Sequence, residues 1–203
     1  MGCMFRGANA SREKVLKTLD ACSHRLGKLA LTDNFLGCAM QGCVVETAAS
    51  HKVVKFTCDE GEATFTEWLH QQQQHRLAPV PRMLPRIYGA YSLRECTDTE
   101  VSFAVWREDL PDHGFEAGTP ERYVITGLFE ALQDPSARAE TINELGNIRD
   151  IGHGLLRDAR DLISWVHKHG ILIEDAHDQN WGARSNGELV LRERTTPRLS
   201  VED

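Results

Sequence analysis

The sequence contains no long apolar run and no excess of positive charge. No stretch approaches the roughly 18 apolar residues that a membrane-spanning helix needs, so we do not expect an integral membrane protein. Lys and Arg total 23 against 30 Asp and Glu, which gives a formal net charge of −7. This balance argues against binding to nucleic acid or to an anionic membrane through bulk positive charge, but it leaves room for a local basic groove that binds phosphate.

The sequence also lacks the cysteine spacing of a disulfide scaffold or a zinc site. Its six cysteines form no C-x-x-C pair, and no apolar leader precedes them; they are Cys3, Cys22, Cys38, Cys43, Cys58 and Cys96. A secreted, disulfide-linked protein is therefore not expected, and a reducing cytoplasm is the favoured compartment. The absence of a G-x-S-x-G motif removes the usual sign of a serine hydrolase.

Length and composition are those of an ordinary folded protein. The chain has 203 residues, of which 41% are hydrophobic and 26% charged, so it has room for one domain or for a two-lobed unit. Its pattern predicts a helical extension over residues 1–32, a strand-rich lobe over 33–109 and a helix-rich lobe over 110–203. The boundary lies in the turn-rich segment 109–114.

Periodic apolar residues and short β-branched runs predict the elements within these parts. A helix is expected from Ser11 to near Gly27, and another begins after Asp59, a residue typical of helix N-caps. The strand-rich lobe is predicted to have five strands: strand signals begin at Phe35, and the runs 43–45, 52–56, 87–91 and 101–106 follow. The helix-rich lobe is predicted to contain helices 123–132, 142–148 and 155–168, a strand 171–173, and a hairpin turn at Asn186-Gly187 before a strand 188–191.

Spaced glycines form the first chemical signal. Gly37 and Gly42 flank a turn between two predicted strands, where the backbone can approach a polyphosphate and direct its N–H groups at the phosphate oxygens. Two glycines five residues apart also occur in ordinary hairpins, so this signal is weak when it stands alone.

A lysine at the end of an apolar strand forms the second signal. Lys55 follows Val53 and Val54 and precedes a helix rich in glutamate, which suits an ammonium group that binds phosphate and is fixed by a carboxylate. The partner carboxylate is Glu67 or Glu62, and the sequence leaves this choice open. The alternative is a solvated lysine on an edge strand.

A polar loop over residues 175–182, after the strand 171–173, forms the third and sharpest signal. It presents Asp175, His177 and Asn180 at D-x-H-x-x-N spacing. Asp175 can orient or deprotonate an attacking hydroxyl, and Asn180 can hold a metal ion through its amide oxygen. His177 can meet a phosphate or brace the loop.

Taken in order, the three signals resemble the protein-kinase-like superfamily. The glycine-loop pattern G-x-G-x-x-G-x-V is matched by Gly37, Ala39, Gly42 and Val44, with alanine at the middle glycine. Lys55 matches the lysine of the V-A-I-K motif, and Glu108 falls where the hinge to the helical lobe would be. The loop with His177 is similar to those of aminoglycoside phosphotransferases and of the early protein kinases of short-tailed bacteriophages.

The resemblance implies a two-lobed, kinase-like fold of the α+β class with a reduced helical lobe. It also implies ATP- and Mg²⁺-dependent phosphoryl transfer to serine or threonine of a protein partner in the cytoplasm, which is the host cytoplasm if a bacteriophage encodes the chain. In that function Lys55 binds the α- and β-phosphates and Glu67 holds Lys55. Asp175 orients the acceptor hydroxyl, while Asn180 and Glu193 bind Mg²⁺.

Departures from the family pattern leave two alternatives open. Glu193 stands in place of the metal-binding aspartate and is followed by Arg194-Thr195, and the chain ends ten residues after Glu193 without an activation segment. These features favour a pseudokinase that binds and inhibits or recruits a partner, whereas Lys55, Asp175 and Asn180 favour catalysis. His177 favours a third possibility, a kinase of small molecules.

Overall fold

A computed structural model describes residues 8–39, 42–75, 79–110, 115–148, 151–173, 176–192 and 197–199. For residues 8–11, 39 and 197–199 it describes the backbone alone. The chain divides into two compact units. The first comprises residues 1–76 and 86–109, and the second comprises residues 77–85 and 110–203. Residues 1–32 therefore group with the strand-rich part, and the proline-containing segment 77–85 groups with the helix-rich part.

The first unit is built on a five-stranded antiparallel sheet with the order β1-β2-β3-β5-β4. Its strands are β1 (Leu31–Ala39), β2 (Gly42–Thr47), β3 (Lys52–Thr57), β4 (Ile87–Ser92) and β5 (Phe103–Glu108). The four runs predicted as strands of the strand-rich lobe lie in this sheet, although β5 begins and ends two residues later than predicted, and the α+β class is confirmed. The sequence pattern underestimated β1, whose sequence mixes polar residues and glycine with apolar ones.

Helices cover both faces of this sheet. On one face, α1 (Ala8–Ala21), α2 (Ser23–Leu26) and a 3₁₀ turn (Gly27–Leu29) pack against alternate strand residues. The buried residues of this core include Val15, Leu26, Val45, Val54 and Phe56. On the other face lies α3 (Glu60–Gln74), which begins where predicted because the Asp59 side chain accepts a hydrogen bond from the Glu62 N–H at 3.0 Å.

Disulfide bonds link cysteines of this unit, so the expectation that the chain is not disulfide-linked is wrong. Cys22 is bonded to Cys96 across 74 residues, and Cys38 is bonded to Cys43 across the β1–β2 hairpin. No described cysteine has a free thiol. The search for short sequence spacings missed the first pair because the fold, and not the local sequence, brings the end of α1 to the turn after β4.

The second unit contains three helices and two short β-ladders. The helices are α4 (Pro120–Gln133), α5 (Arg138–Asn147) and α6 (His153–Lys168). The ladders pair β6 (Ile171–Ile173) with β9 (Pro197–Leu199) and β7 (Trp181–Ala183) with β8 (Leu189–Leu191). Strand β7 was predicted as part of a polar loop, because three residues are too few to show a strand period.

Local signals explain the helix boundaries of the second unit. Thr119 caps α4 by accepting a hydrogen bond from the Arg122 N–H, and Pro120 occupies the first helical position. The helix therefore begins three residues before the predicted start at Tyr123. Gly170, with φ of +59°, follows α6 in the left-handed conformation that a C-terminal glycine allows. Among the described helices, none is both long and apolar enough to cross a bilayer.

Candidate functional site

A row of paired residues crosses the sheet of the first unit on one face. Gly37 of β1 pairs with Val44 of β2, Val44 pairs with Lys55 of β3, and Lys55 pairs with Val105 of β5. Ala90 of β4 continues the row opposite Val105. Because directly opposed residues of antiparallel strands point to the same side, these side chains share the face on which α3 lies. Gly37, Val44 and Lys55, predicted as one site, are thus neighbours.

Lys55 is buried in the middle of the sheet and is paired with a carboxylate. It is 4% exposed, and its Nζ lies 2.6 Å from Oε1 of Glu62. Strand β3 has β2 on one side and β5 on the other, so the alternative of a solvated edge-strand lysine is wrong. A buried ammonium group needs such a partner, because an unpaired charge in the protein interior costs several kcal/mol.

Glu62 is held in place by more than its ion pair. Its Oε2 accepts a hydrogen bond from the Thr57 hydroxyl at 3.1 Å, and its backbone N–H donates to the capping Asp59. The first turn of α3 is therefore fixed against the end of β3, with the Glu62 carboxylate directed at the Lys55 ammonium group.

Glu67, predicted to hold Lys55, does not do so. It is exposed on α3, whereas Glu62 is 9% exposed and forms the ion pair. Five residues separate the two glutamates, which is about 500° of helix rotation, so they point in different directions. The sequence alone did not decide which glutamate pairs with Lys55. The Asp59 cap fixes where α3 begins and so directs Glu62, and not Glu67, at the lysine.

The glycines of the hairpin differ in what surrounds them. A Cβ at Gly42 would lie 1.8 Å from the Phe56 carbonyl oxygen of β3, so the packing of two strands requires glycine there. A Cβ at Gly37 would meet no atom of the described residues within 4 Å. Ala39 ends β1 and pairs with Gly42. The described part of the chain therefore leaves space above Gly37, while Gly42 has a structural reason for its identity.

Glu108, predicted at the hinge, is a buried residue at the end of β5. Its Oε1 accepts a hydrogen bond from the Arg86 N–H at 2.8 Å, and its own N–H donates to the Arg86 carbonyl at 3.0 Å. The carboxylate thus fixes the chain just before β4. These two bonds give Glu108 a structural role at the start of β4.

The polar loop of the second unit is ordered around Asn180. This residue is 5% exposed and ends a 3₁₀ turn (Asp178–Asn180). Its Nδ2 donates to Nε2 of His177 at 3.3 Å, so the histidine braces the loop as one of its predicted roles requires. The Trp181 indole N–H donates to the Ala176 carbonyl at 2.8 Å and closes the turn underneath.

An arginine that the sequence did not single out anchors this loop. Nη1 of Arg122, in the first turn of α4, lies 2.5 Å from Oδ2 of Asp178. This hydrogen bond lowers the pKa of the Asp178 carboxyl below its ordinary value. Since 56 residues separate the partners, no local sequence signal could have revealed the pair.

Two predicted site residues, Asp175 and Glu193, lie outside the described residues. Their neighbours are described: Ile173 ends β6, and the Arg192 N–H donates to the Asn180 carbonyl at 2.5 Å. Within the described parts of the chain, no group of three or more His, Cys, Asp or Glu side chains could hold a metal ion. Of the two predicted Mg²⁺ ligands, Asn180 and Glu193, only Asn180 is among the described residues.

Comparisons with known proteins add no assignment to this geometry. None of the protein-family models matches the chain, and none of the curated proteins matches it significantly.

Proposed function

We propose that the protein is an ATP- and Mg²⁺-dependent phosphotransferase that modifies serine or threonine of a cellular or host protein. The observation that carries the proposal is the buried Lys55–Glu62 ion pair, which lies in one row with Val44 and with the open backbone at Gly37. An ammonium group fixed in the same row of the sheet as the uncovered Gly37 suits the binding of nucleotide phosphates, since it offers a positive charge whose position does not change.

Each unit has its own part in this function. In the first unit, Lys55 neutralises phosphate charge, Glu62 holds Lys55 in position, and the backbone near Gly37 lies against the phosphates. In the second unit, Asp175 orients the acceptor hydroxyl, and Asn180 and Glu193 hold the metal ion. When bound, Mg²⁺–ATP supplies the phosphoryl group, and the protein contributes positioning and neutralisation of charge. On this proposal the two units are the lobes of a reduced kinase-like fold.

The proposed reaction needs cytoplasmic ATP, so we place the protein in the cytoplasm, or in the host cytoplasm if a bacteriophage encodes it. Thiols are usually reduced there, whereas the structure contains disulfides. The phosphotransferase activity should therefore be assayed both with and without a reducing agent.

A pseudokinase is the second candidate, and two observations favour it. The identity of Gly42 is explained by its contact with Phe56 without any ligand. Glu193 also has a longer side chain than the aspartate of the family pattern. In this case the protein binds and inhibits or recruits a partner and transfers no phosphate.

Incubation with γ-labelled ATP, Mg²⁺ and a bacterial lysate separates the candidates. Labelled protein supports the proposal, a labelled small molecule identifies a different acceptor, and no label in either redox state overturns catalysis. Lys55→Met should abolish the labelling, because it removes the fixed charge. Lys52→Met, on the same strand, is the matched control and should leave the labelling unchanged.

Substitution at Glu193 tests the metal site separately. If Glu193 binds Mg²⁺, Glu193→Ala loses transfer and Glu193→Asp keeps part of it. Equal transfer by the unaltered protein and by Glu193→Ala would remove this residue from the site. Binding of ATP that does not depend on Mg²⁺, together with no transfer, would favour the pseudokinase.

A further inference from the structure

The Arg122–Asp178 ion pair joins the first turn of α4 to the polar loop. Nη1 of Arg122 lies 2.5 Å from Oδ2 of Asp178, and the two side chains are 36% and 42% exposed. An ion pair with this exposure adds little to stability, because water screens it. It does fix where the 3₁₀ turn (Asp178–Asn180) lies against α4, so what it mainly determines is the position of the groups in that turn.

The other oxygen of the Asp178 carboxylate faces His177. Oδ1 of Asp178 lies 3.9 Å from Nδ1 of His177, which is longer than a direct hydrogen bond but close enough for attraction between the carboxylate and a ring N–H. The His177 side chain is 40% exposed, so packing alone does not fix its ring. The carboxylate beside it therefore helps to determine how the ring is turned.

His177 in turn orients the side chain of Asn180. Nδ2 of Asn180 lies 3.3 Å from Nε2 of His177, and an amide nitrogen can only donate, so Nε2 is the acceptor. A neutral ring then carries its proton on Nδ1, the nitrogen that faces Asp178. The donors and acceptors are thus consistent from Arg122 through Asp178 and His177 to Asn180.

The backbone of Asn180 is fixed by separate bonds. Its N–H donates to the His177 carbonyl at 2.9 Å, and its carbonyl accepts from the Arg192 N–H at 2.5 Å. What the contact with the His177 ring determines is therefore the rotation of the side-chain amide. This rotation matters for chemistry, because the amide oxygen can bind a cation such as Mg²⁺, whereas the amide N–H groups cannot.

We propose that Arg122 and Asp178 are positioning residues, which act through His177 to hold the Asn180 amide with its nitrogen on the ring and its oxygen turned away from it. The cation that this oxygen would bind is Mg²⁺, and this second step rests on the proposed function. Groups that orient a metal ligand commonly change metal affinity ten- to a hundredfold when they are removed.

Hydrogen exchange of the Asn180 side-chain amide, observed by NMR, tests the first step without nucleotide, metal or activity. In the unaltered protein this amide should exchange slowly with water, because the residue is 5% exposed and donates to His177. Arg122→Gln and Asp178→Asn should each speed the exchange about tenfold, as loss of one hydrogen bond would. Arg122→Lys keeps the positive charge and should restore most of the protection.

The Mg²⁺ dependence of transfer from γ-labelled ATP tests the second step. Arg122→Gln should raise the Mg²⁺ concentration for half-maximal transfer about tenfold, and the rate at saturating Mg²⁺ should stay within about twofold of the unaltered protein. A residue that only stabilises the fold would lower the amount of active protein and leave the Mg²⁺ dependence unchanged. The double variant Arg122→Gln, Asp178→Asn should be no worse than either single variant, because both residues act along one series of contacts.

Two controls are matched to these changes. Asp134→Asn alters a carboxylate that caps another 3₁₀ turn of the same unit, where it accepts a hydrogen bond from the Ser136 N–H at 2.8 Å. Arg160→Gln removes an exposed arginine of α6. Both controls should leave the exchange of the Asn180 amide and the Mg²⁺ dependence unchanged.

Unchanged exchange of the Asn180 amide in Arg122→Gln would overturn the proposal, as would equal acceleration in Asp134→Asn. Losses that add in the double variant would show that Arg122 and Asp178 act separately, which also contradicts it. If Asp178→Asn does not fold, the comparison of Arg122→Gln with Arg122→Lys still decides the question. Absence of transfer by the unaltered protein would overturn the phosphotransferase alone, since the exchange rates still decide whether Arg122 positions Asn180.

Discussion

The two units bury a cation in different ways. In the first unit, the Lys55 ammonium group pairs with the Glu62 carboxylate at 2.6 Å. In the second unit, the Arg138 guanidinium donates to neutral acceptors, the carbonyls of Ala131 at 3.1 Å and Ile171 at 3.3 Å and Nδ1 of His167 at 2.8 Å. Arg138 is 7% exposed, and its burial lowers its pKa from the ordinary value.

The difference separates a structural cation from a candidate functional one. Arg138 spreads its charge over a planar group with five donors, and its hydrogen bonds go to uncharged acceptors on three elements, with the Asp134 carboxylate as a weaker electrostatic influence. Lys55 carries a compact charge and has a carboxylate, and it lies in one row of the sheet with Gly37, two strands away, where a Cβ would contact no described atom. Burial alone therefore does not indicate function; the combination of the ion pair and an uncovered position in the same row makes Lys55 the candidate.

The units also differ in covalent links. The described disulfides lie in the first unit, and the segments 77–85 and 110–203 contain no cysteine. The strand-rich unit therefore combines cross-links with packing, while the helix-rich unit depends on packing, hydrogen bonds and ion pairs such as Arg122–Asp178.

The largest expected effect is the loss of the long disulfide. Replacing Cys22 and Cys96 with alanine should lower the free energy of unfolding of the first unit by about 4 kcal/mol, against about 2 kcal/mol for Cys38 and Cys43, because the first bond closes a much longer loop. Urea denaturation with hydrogen exchange resolved by residue measures both. Equal losses, or matching losses of protection in α6, would contradict the distinction between the units.

The next effect comes from breaking the ion pair. Lys55→Met should lower the free energy of unfolding by about 3 kcal/mol, because it leaves the Glu62 carboxylate buried without its counter-charge. The double variant Lys55→Met, Glu62→Leu should recover most of this loss. Urea denaturation of the single and the double variant, with Lys52→Met as control, measures both effects. A double variant less stable than Lys55→Met would contradict the view that the single variant is destabilised by an unpaired Glu62 carboxylate.

Replacement of the arginine should have a somewhat smaller effect. Arg138→Met keeps much of the volume but removes three hydrogen bonds, two of them buried and made to backbone carbonyls, so we expect the free energy of unfolding to fall by about 2 kcal/mol. Arg160→Met, at an exposed position of α6, is the control. A loss that vanished in high salt would indicate a carboxylate partner and would remove the contrast with Lys55.

The smallest effect is the pH dependence of the Arg122–Asp178 pair. Arg122 lowers the pKa of Asp178 in the folded protein, so the pair stabilises above the unfolded carboxyl pKa, and this contribution is lost as the pH falls through the folded value. Since the side chains are 36% and 42% exposed, the contribution should stay below about 1 kcal/mol. Denaturation of the protein and of Arg122→Gln between about pH 2 and 6 should converge at the acidic end; a constant difference would exclude this linkage.

Local signals made much of the fold predictable. The cap at Asp59, the apolar face of α6 and the β-branched run before Lys55 each specify an element without help from distant residues. The pairing of Cys22 with Cys96 and of Arg122 with Asp178 depends on the folded arrangement, which a single sequence does not encode locally. In the site, the order of the motifs along the sequence predicted that Gly37, Val44 and Lys55 belong together. The sequence could not decide whether Glu62 or Glu67 pairs with Lys55, because that depends on the direction in which the first turn of α3 points.

The Gly42 contact with Phe56 changes how a mutational scan of the hairpin should be interpreted. Any side chain at position 42 would collide with the Phe56 carbonyl of the neighbouring strand β3. Loss of variants at this position therefore reports damage to the sheet and not loss of a ligand. Position 37 has no such neighbour among the described residues, so a small side chain there should leave the sheet intact. Selection against Gly37→Ala in cells, with normal abundance of the variant protein, would thus be genetic evidence for a ligand over the hairpin.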